Sequence, residues 1–187
     1  MKELPSDFAP QESLRQRLGK GARFDAPGAP RDDLLMLRRG TAFFARKLNE
    51  LSNEALYGPA ARPGWSRAHV VANLCFKARR MAQVLEAIHN ARETPSWDMN
   101  DEPKASLDLA ATLPSHALRH LFQHSEIHLN VCFRDLTDSD WARDVTAQGG
   151  NSMELRAFPL MRARNIWQQS VILNNGALQN ELPTYFR

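Results

Sequence analysis

Pro63-Gly64-Trp65-Ser66-Arg67-Ala68-His69-Val70-Val71-Ala72-Asn73-Leu74-Cys75-Phe76-Lys77 decides how the chain is read. A Pro-Gly turn delivers Ser66, whose hydroxyl can accept one of the N–H groups that a helix start leaves without a partner. From there the spacing predicts a helix of about 25 residues, running to Arg92. At about 100° per residue, Val70, Leu74, Met81, Val84, Leu85 and Ile88 share one face, as a core-facing helix requires. Lys77 falls near the centre of that face and Asn73 on its edge, one turn earlier. A polar pair at (i, i+4) on an apolar stripe points to a cavity. Cys75 lies about 140° away from the stripe, on what reads as the outer side of the helix.

Three further long helices are expected on either side. Asp32 and Asp33 suit a helix start, where the dipole favours anions, and Leu34, Leu37, Thr41, Phe44, Leu48 and Leu51 follow at helical spacing to about Ser52. A loop with Gly58, Pro59 and Pro63 leads into the opening stretch. Beyond it, Glu93–Pro103 is a long polar connection containing Pro95 and Trp97, and a short helix follows over Lys104–Ala111. Ser115 reads as the N-cap of a third long helix to Leu136, with Leu118, Phe122, Ser125, Leu129, Cys132 and Leu136 inward. Thr137-Asp138-Ser139-Asp140-Trp141 is a capped turn. Weak alternation from Val145 to Phe158 across Gly149-Gly150-Asn151-Ser152 suggests a small β-hairpin. Pro159 then opens the last long helix, which Asn174-Asn175-Gly176 stops after Leu173. The expected architecture is all-α: a four-helix bundle with long connections, whose ligand sites lie in the core between facing helices.

A chain of 187 residues suits an extended N-terminal arm over 1–30, rich in Pro and Gly with a helical turn near Glu12–Leu18, and one helical domain over 31–187. The arm reads either as a disordered leader or as a strap across the body or a partner subunit. Hydrophobic residues make up 43% and charged residues 24%, a globular balance. The net charge of +3 is mild, and no compact Lys/Arg run offers phosphates a track, which argues against nucleic-acid binding. No apolar run approaches the roughly 20 residues that span a bilayer. Cys75 and Cys132 have no metal-ligand spacing between them and fit a reduced, cytoplasmic protein better than a disulfide scaffold.

The remaining polar residues with inward prospects lie on the last two long helices. Asn165 and Gln169, again at (i, i+4), fall inside the arc of Met161, Ile166, Ile172 and Leu173. Buried amides need partners, so they are either satisfied by a neighbouring helix or line a pocket with Asn73 and Lys77. Lys77 itself either lays its stem on apolar surface with its head in water or holds a cation in the pocket. His116, His120, His124 and His128 form a row that drifts about 40° per step. His116 and His120 point away from the core, while His128 reaches its edge.

Gly64–Ala72 resembles the helix-opening signature of the N-terminal domain of mycothiol-dependent maleylpyruvate isomerases, within the DinB-like superfamily. Arg39-Gly40-Thr41 with Phe44–Leu48 resembles that family's first helix, His128–Val131 with Arg134-Asp135-Leu136 its third, and Met161–Arg164 with Trp167 its fourth. The resemblance implies a four-helix bundle, a low-molecular-weight thiol, and a divalent metal, usually zinc. The metal is held by a histidine in the second helix and a Glu-x-x-x-His pair in the last. Those positions here are Asn73, Asn165 and Gln169, so no metal is expected there, because three neutral amides make a weak shell for zinc. The larger members carry a C-terminal domain, and none is expected within this chain.

The expectation is therefore a metal-independent enzyme acting on a small carboxylated molecule in the bundle cavity. Lys77 and His128 would act in acid–base chemistry, and Asn73, Arg80, Asn165 and Gln169 would bind substrate. The Lys77 ammonium, with Arg80, would replace the metal's charge. One alternative is a non-catalytic relative that binds a ligand or a protein, its cavity filled by Phe76, Phe122 or Trp167. Another is a metal-dependent thiol isomerase or transferase using His124 or His128. Bundles of this kind often pair, so a homodimer is expected.

Overall fold

The computed structural model describes residues 24–95, 98–146, 150 and 152–187. The helical turn expected near Glu12–Leu18, Trp97, and Gly149 and Asn151 of the hairpin turn lie outside these residues. Four long helices form the body: α1 (Arg31–Asn49), α2 (Arg67–His89), α4 (Ser115–Asp135) and α6 (Phe158–Ile172). A short α3 (Lys104–Ala110) precedes α4, and a single-turn α5 (Asp138–Trp141) follows it. The strands β1 (Asp144–Thr146) and β2 (Ser152–Glu154) pair antiparallel, with Val145 opposite Met153. The expected hairpin is thus present but short, and Leu155–Ala157 is already a 3₁₀ turn running into α6.

The helix starts follow capping chemistry. Ser66 Oγ accepts from the His69 backbone N–H, and His69 Nδ1 accepts from the Ser66 N–H at 3.2 Å, closing a reciprocal cap. His69 Nε2 lies 3.0 Å from Asp108 on α3, so a histidine with no expected role ties the start of α2 to its neighbour. Thr137 and Asp140 build a second reciprocal cap on α5. Ser115 is not an N-cap. Pro114 takes that position, and Ser115 is the first helical residue.

α1 packs mainly along α6, and α2 along α4. Gly40 sets the first pairing: a Cβ there would stand 2.7 Å from Trp167 Nε1 and 2.8 Å from Ile166 Cγ2. Trp167 lies 5.0 Å from the Phe43 ring and donates to Met36 O, while Phe122 packs on Phe44. Every expected inward residue of α2 is buried, but so are most others: fifteen of its 23 residues. A second apolar cluster, formed by Ala72 with Leu107 and Ala110 and flanked by Trp65 and Phe76, covers the side that the wheel left outside. Cys75 belongs instead to the main core, beside Ser125 on α4 and Arg162 on α6, and is fully buried, contrary to its expected outward place.

The short segment just before α1 is tied to the body. Asp25 forms a bidentate pair with Arg38 at 2.6 Å, Gly28 N–H donates to Asp138 at 2.7 Å, and Ala29 is buried. At the other end, Leu182 and Phe186 return to the core beyond a turn with positive φ at Asn174 and Gly176. No described helix is long and apolar enough to cross a membrane.

Candidate functional site

Lys77 neither snorkels nor stands free. It is 5% exposed, and its Nζ donates to Asp101 Oδ1 at 2.8 Å. Asn73 Nδ2 donates to the same oxygen at 2.8 Å, and Arg62 holds the other oxygen, Oδ2, while stacking 4.0 Å above the Trp65 ring. Burial alone would raise the Asp101 pKa, but hydrogen bonds from Lys77, Arg62 and Asn73, with the Lys77 charge, hold it down to about 2. Asn73 Oδ1 meanwhile accepts from the Glu102 N–H at 3.1 Å, so both ends of this amide are engaged. Arg80, one turn beyond Lys77, donates to Asn100 O at 2.8 Å and lies 3.3 Å from Asp98 and 3.2 Å from Glu102. The polar face of α2 therefore grips the connection before α3, and its centre is a carboxylate held by an ammonium, a guanidinium and an amide.

The α6 amides lie apart from this grip. Asn165 is half-buried, and its Oδ1 accepts from Arg162 Nη1 at 3.0 Å. Gln169 is buried, and its Oε1 has no hydrogen-bond partner among the described residues. Arg162, entirely buried, donates from Nη2 to Leu74 O at 3.1 Å and to Glu126 on α4. One side chain thus locks α6 to α2 beside Asn73 and to α4. Cys75 lies within reach of this pair, and burial pushes its thiol up to about 12, which leaves it unreactive. Glu126 also forms the wall of a groove between α1 and α4. That groove holds two cavities, of about 530 and 320 Å³, that share Thr41, Ala45, Glu126 and Ile127.

The histidine row behaves as its drift predicts at one end: His116, His120 and His124 are exposed. His128 does not join Lys77. Its Nε2 lies 2.9 Å from Glu86 Oε1, and Glu86 is nine residues after Lys77, which is half a revolution around α2 and about 13 Å along it. The two residues expected to share acid–base work occupy opposite sides of one helix.

The residues at the implied metal positions do not fit a zinc ion. All three are neutral amides. Asn73 and Asn165 already spend their oxygens on internal donors, which leaves Gln169 Oε1 as the one open acceptor of the set. Sequence reasoning missed Asp101, Arg62, and the pair Glu126–Arg162. Glu126 was within reach of that reasoning, because it sits four residues after Phe122 on the inward face of α4, as Lys77 does on α2.

No functionally curated sequence matches the chain significantly. Its fold superposes on two crystal structures, the mycothiol-dependent maleylpyruvate isomerase and a point mutant of it. Each match has a TM-score of 0.76 and 25% identity, and covers 84% of this chain and 65% of the other. The chain therefore spans slightly less than two thirds of the length of those proteins. The family model described as the mycothiol maleylpyruvate isomerase N-terminal domain matches residues 37–168, from α1 into α6. With the bundle, its helix order and these matches in hand, the chain belongs to the mycothiol maleylpyruvate isomerase N-terminal domain family.

Proposed function

We propose that this chain is a small-molecule enzyme of the isomerase type that recognises a carboxylated substrate through fixed cations at α2 rather than through a metal at Asn73, Asn165 and Gln169. The observation that carries this reading is the convergence of Lys77, Asn73 and Arg62 on one carboxylate, with Lys77 buried. A buried ammonium that already holds a carboxylate is a preorganised anion site, because its desolvation has been met by the fold and not by the ligand. Asp101 occupies that site in the free protein, and the substrate carboxylate exchanges with it. The similar proteins are named for mycothiol and maleylpyruvate, a thiol and a carboxylated small molecule, and both classes suit this site. A low-molecular-weight thiol is then a co-substrate, and the protein works in the cytoplasm as a homodimer. His128, on the far side of α2, has no part in this chemistry.

Asp101→Ala tests the reading. The variant should gain thermal stability in millimolar maleate or pyruvate to a degree that the parent protein does not, and adding Lys77→Met should abolish the gain. No gain in Asp101→Ala, or a gain that survives Lys77→Met, would overturn the anion site. A divalent ion found by elemental analysis and lost in Asn73→Ala would overturn the claim about the metal.

A further inference from the structure

On the side of α2 away from Lys77, three donors of different chemistry meet. Glu86 extends from α2, and His128 and Cys132 extend from α4 one turn apart. A carboxylate oxygen, an imidazole nitrogen and the sulfur all lie within 4.8 Å of one another. They line a cavity of about 270 Å³ between the two helices, room for an ion and several waters. His89 lines the same cavity and is fixed by Asp140, which lies 3.2 Å from its Nδ1.

We infer that Glu86, His128 and Cys132 form a binding site for a zinc-like divalent transition metal. This site is separate from the amide positions and independent of the function proposed above. Carboxylate, imidazole and thiolate together are a zinc donor set, and three protein ligands leave a fourth position to water. Zinc bonds of 2.0 to 2.3 Å place tetrahedral ligands about 3.3 to 3.8 Å apart, so ligation needs shifts of about 1 Å or less in side chains carried on two closely packed helices. The hydrogen bond between His128 and Glu86 opens as the ion enters between them. On binding, the Cys132 S–H bond breaks, the proton passes to buffer, and sulfur forms the metal bond with the electron pair left behind.

Equilibrium dialysis of the full chain against micromolar zinc, followed by elemental analysis, should retain one ion per chain. Cobalt(II) in place of zinc should give a thiolate charge-transfer band in the near ultraviolet. His128→Gln and Cys132→Ala, checked for fold by circular dichroism, should weaken zinc binding by at least about 100-fold, the upper end of what losing a supporting group outside the ligand set costs. Asn73→Ala should retain the ion. Failure of the parent chain to hold zinc, or retention unchanged in both α4 variants, would overturn the site. Loss in Asn73→Ala with retention in Cys132→Ala would move the ion to the amide positions and overturn this inference together with the proposed metal independence.

Discussion

Removing Glu126 should damage this fold more than removing the arginine it pairs with. Arg162 is fully buried, and without Glu126 its guanidinium keeps only Leu74 O and Asn165 Oδ1 as acceptors, both neutral, while its Nε has no partner among the described residues. A guanidinium cannot escape by losing its proton. An unpaired buried charge of this kind costs about 3–5 kcal/mol, a large share of the roughly 5–15 kcal/mol that holds a domain folded. Glu126 has a way out when Arg162 is removed, because it faces the groove between α1 and α4. Arg162→Met should therefore cost less, about 1–3 kcal/mol. The double variant Glu126→Leu with Arg162→Met removes both charges and keeps volume, and should fall within about 1 kcal/mol of the parent or above it. Urea unfolding measures all three. With a slope of about 2 kcal/mol per molar, Glu126→Leu should lower the midpoint by about 2 M, and the double variant should restore it. Two single variants within about 1 kcal/mol of the parent, or a double variant as unstable as the sum of its parts, would refute the reasoning.

Two other outcomes follow from the geometry. Because Asp101 titrates near 2 in the folded chain against an ordinary 3.8, its stabilisation is complete above about pH 4 and lost as pH falls through 2. Its side chain is 30% exposed, so solvent screening reduces the effect to about 1 kcal/mol. The stability difference between the parent and Asp101→Asn should shrink across that window in acid unfolding curves, and a difference independent of pH would contradict the assignment. Gly40→Ala should destabilise by about 1–3 kcal/mol, because its Cβ would lie within 3.0 Å of Trp167 and Ile166, and this exceeds the roughly 1 kcal/mol that alanine gains as a helix former. An unchanged melting temperature would mean that α1 and α6 are less closely set than described.

The bundle was legible because helical periodicity is a local signal. Every inward residue expected on α2, from Val70 to Ile88, is buried, and the hairpin and the stop at Asn174–Gly176 lie where turn chemistry puts them. A single-face wheel misplaced Cys75, because it cannot register that α4 and α6 pack on that side of α2 while the connection before α3 covers the Lys77 side. The ionic site was half visible. Lys77 and Asn73 announced themselves as polar residues on an apolar stripe. Their partner Asp101 lies 24 residues beyond Lys77 in an irregular stretch with no period to read, and no local pattern marks it. His128 was read at the edge of the core face of α4, and it meets Glu86 rather than Lys77 because which side of α2 it faces depends on the docking of α4, which is a tertiary fact.

A helix covered along most of its surface has little slack. α2 can neither roll nor slide to make room without prising apart the bundle, so any guest reaching Asn73 and Lys77 must arrive by lifting the Asp98–Glu102 stretch off it. That stretch is fastened by charges: Arg62, Lys77 and Arg80 against Asp98, Asp101 and Glu102. Dissolved ions weaken the solvent-exposed fastenings of that sort. Added salt thus weakens the hold of the more exposed Arg62 and Arg80 pairs on this stretch, and screens the buried Lys77 pair much less.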